Sequence, residues 1–158
     1  MGRSMAHFGN LANDAFPVVE ELQRIGEDVQ LYIPKQSHVT ALPQWELLKF
    51  RVEDIGDPYH PSWQRLNQDF EQPNWLHFLD LECNALTKLS RIFKAMREFD
   101  LIVAHVPFFI YSYLFRRNYV PFEAGAIRYF EQRKPTYQRI RQWLMKKSYQ
   151  HAKLVIMT

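Results

Sequence analysis

Short apolar runs alternate with amphipathic stretches along this chain, and that alternation limits the available folds more than any other feature. Residues 5–8 form a short apolar strand candidate. Over 14–25, Ala15, Val18, Val19, Leu22 and Ile25 recur at helical spacing opposite Glu20, Glu21 and Arg24, and Gly26 stands where a left-handed C-cap is usual. Residues 29–33 are β-branched and aromatic, hence a second strand, with Pro34 as its stop. Residues 34–74 hold five prolines and only short helical pieces, over 44–50 and 62–70, and read as an irregular insertion. Regular alternation then resumes: strand 75–79, helix 84–99, strand 101–104, helix 107–117, strand 119–122, basic helix 136–151 and strand 154–157.

The order strand, helix, strand, insertion, then strictly alternating strands and helices predicts a mostly parallel sheet with helices on both faces, joined by right-handed crossovers. Such a chain is an α/β protein, a Rossmann-like three-layer α/β/α sandwich. The unbroken apolar run 101–104 suits a strand covered on both sides. Its 158 residues, 47% hydrophobic and 15% aromatic, exclude wholesale disorder and suffice for one domain spanning 1–158. Cys83 is the only cysteine, so neither an internal disulfide nor a cysteine zinc site is available, which fits a reducing compartment. No charged segment leads into an apolar secretory core at the start. The longest nearly apolar stretch, 101–115, is broken by His105 and Pro107 and falls short of the roughly 18 residues a span requires. The expectation is a cytoplasmic protein, soluble or peripheral to the inner face of a membrane.

In such sheets ligands sit beyond the carboxyl ends of the strands, which singles out residues 9–14, 105–107 and 123–128. Gly9 permits a left-handed backbone or a close approach, and Asn13 is placed to cap the following helix. Gly9 and Asn10 read as a functional loop, Asn13 equally as a plain structural cap. GxGxxG and the Walker-type phosphate loop are both absent. His105, after a buried-type strand, is either a core histidine bonded to backbone or a group touching substrate. Arg128 either holds a phosphate or pairs with Glu123 or Glu131. The histidines show no metal-binding spacing, so no metal is assigned and no cofactor is expected.

Formal net charge is +3, but residues 1–82 carry −7 and residues 83–158 carry +10. Arg133, Lys134, Arg139, Arg141, Lys146 and Lys147, interleaved with Tyr137, Trp143 and Tyr149, contain no acid among them. An anionic membrane surface and a merely solvated basic face both fit this pattern. Nucleic acid fits less well, since no recognised binding motif accompanies the charge.

The segment HFGNLANDAFPVVEELQRIGEDVQLYI resembles the opening of the N-terminal domain of GT-B-fold glycosyltransferases of the family 4 type: a strand, a Gly/Asn loop, a helix ending in a glycine turn, and a second strand. FDLIVAHVPF, YVPFEAGAIRYF and HAKLVIMT are similar to later segments of that domain, so the likeness runs in order through the chain. It implies an acceptor-side half-enzyme that moves a sugar from a nucleotide-sugar donor to a hydroxyl of a sugar or lipid-linked acceptor, in polysaccharide or glycolipid synthesis. His105 would be the catalytic-site histidine, with Gly9, Asn10, Asn13, Glu123, Gly125 and Arg128 lining the substrate. Ala124 departs from the histidine that many members carry there. The family's second, donor-binding domain, with its E-x7-E segment, is the partner this reading requires, and the 158 residues alone are expected to be inactive. The alternative is a non-catalytic Rossmann-like module that uses its basic face on a membrane or partner.

Overall fold

A computed structural model of the chain describes residues 4–10, 14–37, 41, 71–123, 136–152, 154 and 156–157. Six parallel strands form one sheet: β1 (Met5–Phe8), β2 (Val29–Pro34), β3 (Leu76–Leu79), β4 (Leu101–Ala104), β5 (Tyr119–Glu123) and β6 (Ile156–Met157). Four helices are seen among the described residues: α1 (Ala15–Arg24), α2 (Ala85–Arg97), α3 (Phe108–Leu114) and α4 (Thr136–His151). Spatial strand order is β3-β2-β1-β4-β5-β6. The chain winds outward from β1 to one edge, then crosses back to β4 and winds to the other, as a doubly wound Rossmann-like fold does. No described helix is long and apolar enough to cross a membrane.

Strand alternation divides the core into two. Ala6 and Phe8 of β1, Ile102 and Ala104 of β4 and Tyr119 of β5 face one side, where Ile92 and Met96 of α2, Phe108 and Phe109 of α3 and Met145 of α4 cover them. Val29, Leu31 and Ile33 of β2 and Leu76 of β3 face the other, under Ala15 and Val19 of α1. In register across β1, β2 and β3, the rings of Phe8, Tyr32 and His77 stack with centroids 4.7 Å apart at each step, which fixes the strand pairing on the three-helix side. The buried Tyr119 hydroxyl donates to the Ser148 carbonyl and ties β5 to α4.

Helix ends follow local chemistry. After α1, Gly26 takes φ +90°, its N–H bonds the Gln23 carbonyl at 3.0 Å, and the Glu27 N–H reaches back to Leu22 at 3.0 Å. This is the paired closure that a left-handed C′ residue provides. The same closure ends α3, with Arg116 N–H on Tyr113 at 3.0 Å and Arg117 N–H on Ser112 at 2.9 Å, but there the left-handed residue is Arg116 at φ 54°. Asn84 caps α2 by accepting from the Thr87 N–H at 2.9 Å. Several boundaries differ from the sequence expectation, among them the end of the helix expected over 84–99, which stops at Arg97, and the start of the strand expected over 154–157, which begins at Ile156; two others have a local cause. Pro34 is the last residue of β2 rather than its stop, because its carbonyl turns out of the ladder to accept from the Ser37 N–H and hydroxyl. Helix α3 closes at Leu114, three residues early, because the left-handed Arg116 terminates it. Most of the stretch expected to be an irregular insertion, 38–40 and 42–70, lies outside the described residues.

Candidate functional site

Strand order reverses between β1 and β4, so the connections leaving their carboxyl ends diverge to opposite faces, which is where folds of this kind hold their ligands. Gly9 and Asn10 follow β1 there, and His105 follows β4, anchored by its N–H to the Phe8 carbonyl at 2.9 Å. The register that pairs Phe8 with Ala104 brings Gly9 beside His105.

Gly9 has φ +91°, and a Cβ built on it would lie 2.9 Å from the Cβ of His105 and 3.4 Å from the Phe108 ring. Its lack of a side chain therefore serves the β1–β4 junction directly. Asn10 is 3% exposed and its amide is committed. The carbonyl oxygen accepts from the first two N–H groups of α1, Ala15 at 2.8 Å and Phe16 at 3.0 Å, and the amide nitrogen donates to the Ala41 carbonyl at 2.9 Å. Asp14, at the N-cap position, makes no capping bond with its side chain. Asn13, the expected cap, lies outside the described residues, and the two N–H groups such a cap would serve are held by Asn10. Because Pro17 has no N–H, the start of α1 has little left to offer an anion.

His105 is 1% exposed and stacks on Phe122 with centroids 4.6 Å apart. Neither ring nitrogen finds a hydrogen-bond partner among the described residues. A buried polar atom left unpaired costs about 1–3 kcal/mol, so the ring calls for a partner that the described residues do not supply. Burial, with a smaller contribution from His7, lowers its pKa to about 3. His7, two residues before Gly9 on the same face of β1, is 3% exposed, leaves Nδ1 unpartnered, and is lowered to about 4 by burial. Both imidazoles are neutral at pH 7, each with one donor and one acceptor nitrogen. Nothing in the sequence marks His7 as a site residue; its place beside β4 emerges only from the register.

Glu123 ends β5 on the same rim, two strands from β1. Gly125 and Arg128 lie outside the described residues. Groups of three or more side chains able to hold a metal are absent among the described residues. What the junction holds is a pair of buried, uncharged imidazoles beside a glycine. It suits hydrogen bonding to neutral hydroxyl-bearing groups better than capture of a phosphate. No protein-family model matches this chain, and no curated protein matches it in sequence.

Proposed function

We propose that this chain is the acceptor-side domain of a glycosyltransferase, transferring a sugar from a nucleotide-sugar donor to a hydroxyl acceptor in polysaccharide or glycolipid synthesis. One observation carries the reading: His105 stands at the strand-order reversal, 1% exposed and neutral, with both ring nitrogens unpartnered among the described residues. Such a group is satisfied by a ligand that offers a hydroxyl, which accepts from one nitrogen and donates to another. The occupied start of α1 fits the same division of labour. The donor's diphosphate would be held on a second domain, and this half would orient the acceptor.

Transfer proceeds through a transition state with oxocarbenium character, and alignment of donor and acceptor across a closed cleft supplies much of the acceleration. One wall cannot supply that alignment, so the 158 residues alone are inactive in this reading. An enzyme of this kind acting on lipid-linked acceptors works in the cytoplasm at the inner face of a membrane. A non-catalytic module using the basic face is the second reading, favoured by the concentration of cations on α2 and α4.

Histidine ring resonances in the purified chain, followed by 15N NMR during titration with neutral hexoses and hexosamines, test the assignment. Selective movement of the His105 signal is expected, and a signal unmoved by any of them removes the site. In the protein extended through its downstream coding region, His105→Ala should then abolish most of the sugar transfer to a hydroxyl acceptor and lower the melting temperature, since a buried ring is truncated, whereas the larger His105→Gln should lose transfer with a smaller fall in melting temperature.

A further inference from the structure

Charge asymmetry in the sequence becomes a sidedness in the fold. Helices α2, α3 and α4 all cover the same face of the sheet, and none of the three contains an aspartate or glutamate. Lys88, Arg91, Lys94 and Arg97 lie on α2, and Arg139, Arg141, Lys146 and Lys147 on α4. On the opposite face α1 carries Glu20 and Glu21, with Glu27 and Asp28 close behind.

The same three helices hold most of the large apolar side chains left in water. Among the described residues, Leu86, Phe93, Leu114, Ile140 and Trp143 belong to them, with Ile140 62% and Trp143 56% exposed, whereas the α1 side contributes Val18 and the C-cap Ile25. On α4 the arc opposite the buried Met145 and Ser148 presents Ile140 and Trp143, with Lys146 and Lys147 within one turn of Trp143. Beside it runs an open groove of about 460 Å³ between Ile110, Tyr111 and Leu114 of α3 and Ile140, Arg141 and Leu144 of α4. Its lining is apolar except for one guanidinium and one phenol.

We propose that the α3–α4 face docks on the anionic surface of a lipid bilayer, with Ile140 and Trp143 in the interfacial layer and Arg141, Lys146 and Lys147 on lipid phosphates. Apolar side chains projecting from a field of cations complement a surface that has anionic headgroups over hydrocarbon. A nucleic acid would meet the cations but has no place for exposed Leu114 and Ile140. Two copies of this face would repel, since each is basic and its helices carry no acid to pair with. The inference goes beyond the transfer reaction, because it uses the outer face of the helices and nothing at the β1–β4 junction.

Co-sedimentation with phosphatidylcholine vesicles containing phosphatidylglycerol, against vesicles of phosphatidylcholine alone, tests it without any sugar present. Binding to the anionic vesicles only, with release at high salt, is expected. Exchange of both Lys146 and Lys147 for glutamine should weaken partitioning roughly 5-fold per cation, hence about 25-fold for the pair. Brominated lipid should quench the emission of Trp143, and in Trp143→Phe that quenching should disappear while the other tryptophans still emit. Thermal melting of each variant should match the parent, as the exchanged side chains are on the surface. Equal binding to neutral vesicles, no binding, or quenching that survives Trp143→Phe each overturns the proposal. So does preference for a single- or double-stranded oligonucleotide over the vesicles, or a dimer in sedimentation that Trp143→Ala dissolves. Failure here leaves the His105 titration untouched, and failure of that titration leaves vesicle binding intact.

Discussion

Lowering the pH from 7 to 5 should cost this protein about 4 kcal/mol of stability. His7 and His105 are held neutral in the fold, with pKa values of about 4 and about 3, whereas an unfolded histidine titrates near 6.5. The unfolded state therefore binds more protons between these limits, and stability falls as pH falls. It is whole above 6.5, declines toward 4 and then 3, and changes no further from these two groups below. At pH 5 each unfolded imidazole is almost fully protonated and each folded one almost bare, which amounts to about 2 kcal/mol per residue. Half-buried His77, also lowered by burial, adds in the same direction. Asp80, held below the ordinary carboxylate range by the Glu82 N–H and by Arg91, stays ionised throughout the window. Urea unfolding at both pH values, followed by far-UV circular dichroism, measures the loss through the shift in midpoint at constant slope. His105→Leu should remove about half of the pH dependence, and His7→Leu most of the other half. Equal stability of the parent at pH 7 and pH 5, or variants that retain the full drop, would refute the assignment of the two imidazoles as buried and neutral.

Arg116→Gly should raise stability by about 1 kcal/mol, because a left-handed non-glycine residue is strained and glycine takes that conformation freely; chemical denaturation reads the gain. Gly9→Ala should lower stability by roughly 2–4 kcal/mol through contact with His105 and a strained φ, appearing as a fall in melting temperature with no ligand present. Asn10→Ala removes the acceptor for two helix N–H groups and the donor to Ala41, costing about 2 kcal/mol, while Asn10→Asp keeps the acceptor but sets a buried carboxylate oxygen against the Ala41 carbonyl and should also destabilise. Both Asn10 variants are read by thermal melting.

Elements whose shape follows from their own residues are legible in the sequence. The β-branched run 29–33, the apolar run 101–104 and the glycine turn at Gly26 carry their conformations locally, and each stands close to where the sequence puts it. The parallel, doubly wound sheet follows from alternation and the handedness of crossovers. What the sequence hides depends on partners distant in the chain. Asn10 caps α1 from outside the usual N-cap spacing, its side-chain oxygen reaching the N–H groups of Ala15 and Phe16 five and six residues on. His7 looks like an ordinary member of an apolar tetrapeptide until the pairing of β1 with β4 sets it two residues along from the Gly9–His105 contact. Arg116 ends α3 in a conformation usually left to glycine, so composition alone extends that helix too far.

The close approach at Gly9 is made by the Cβ of His105, an atom shared by every residue except glycine. Whatever replaces the imidazole, the obstruction at position 9 persists. Position 105 can therefore exchange its imidazole for other uncharged side chains of similar size with no compensating change at position 9, whereas position 9 tolerates almost nothing. Among descendants of such a chain, or in a mutant library, the two neighbours would behave oppositely: one frozen by backbone geometry, the other free to trade one ligand chemistry for another.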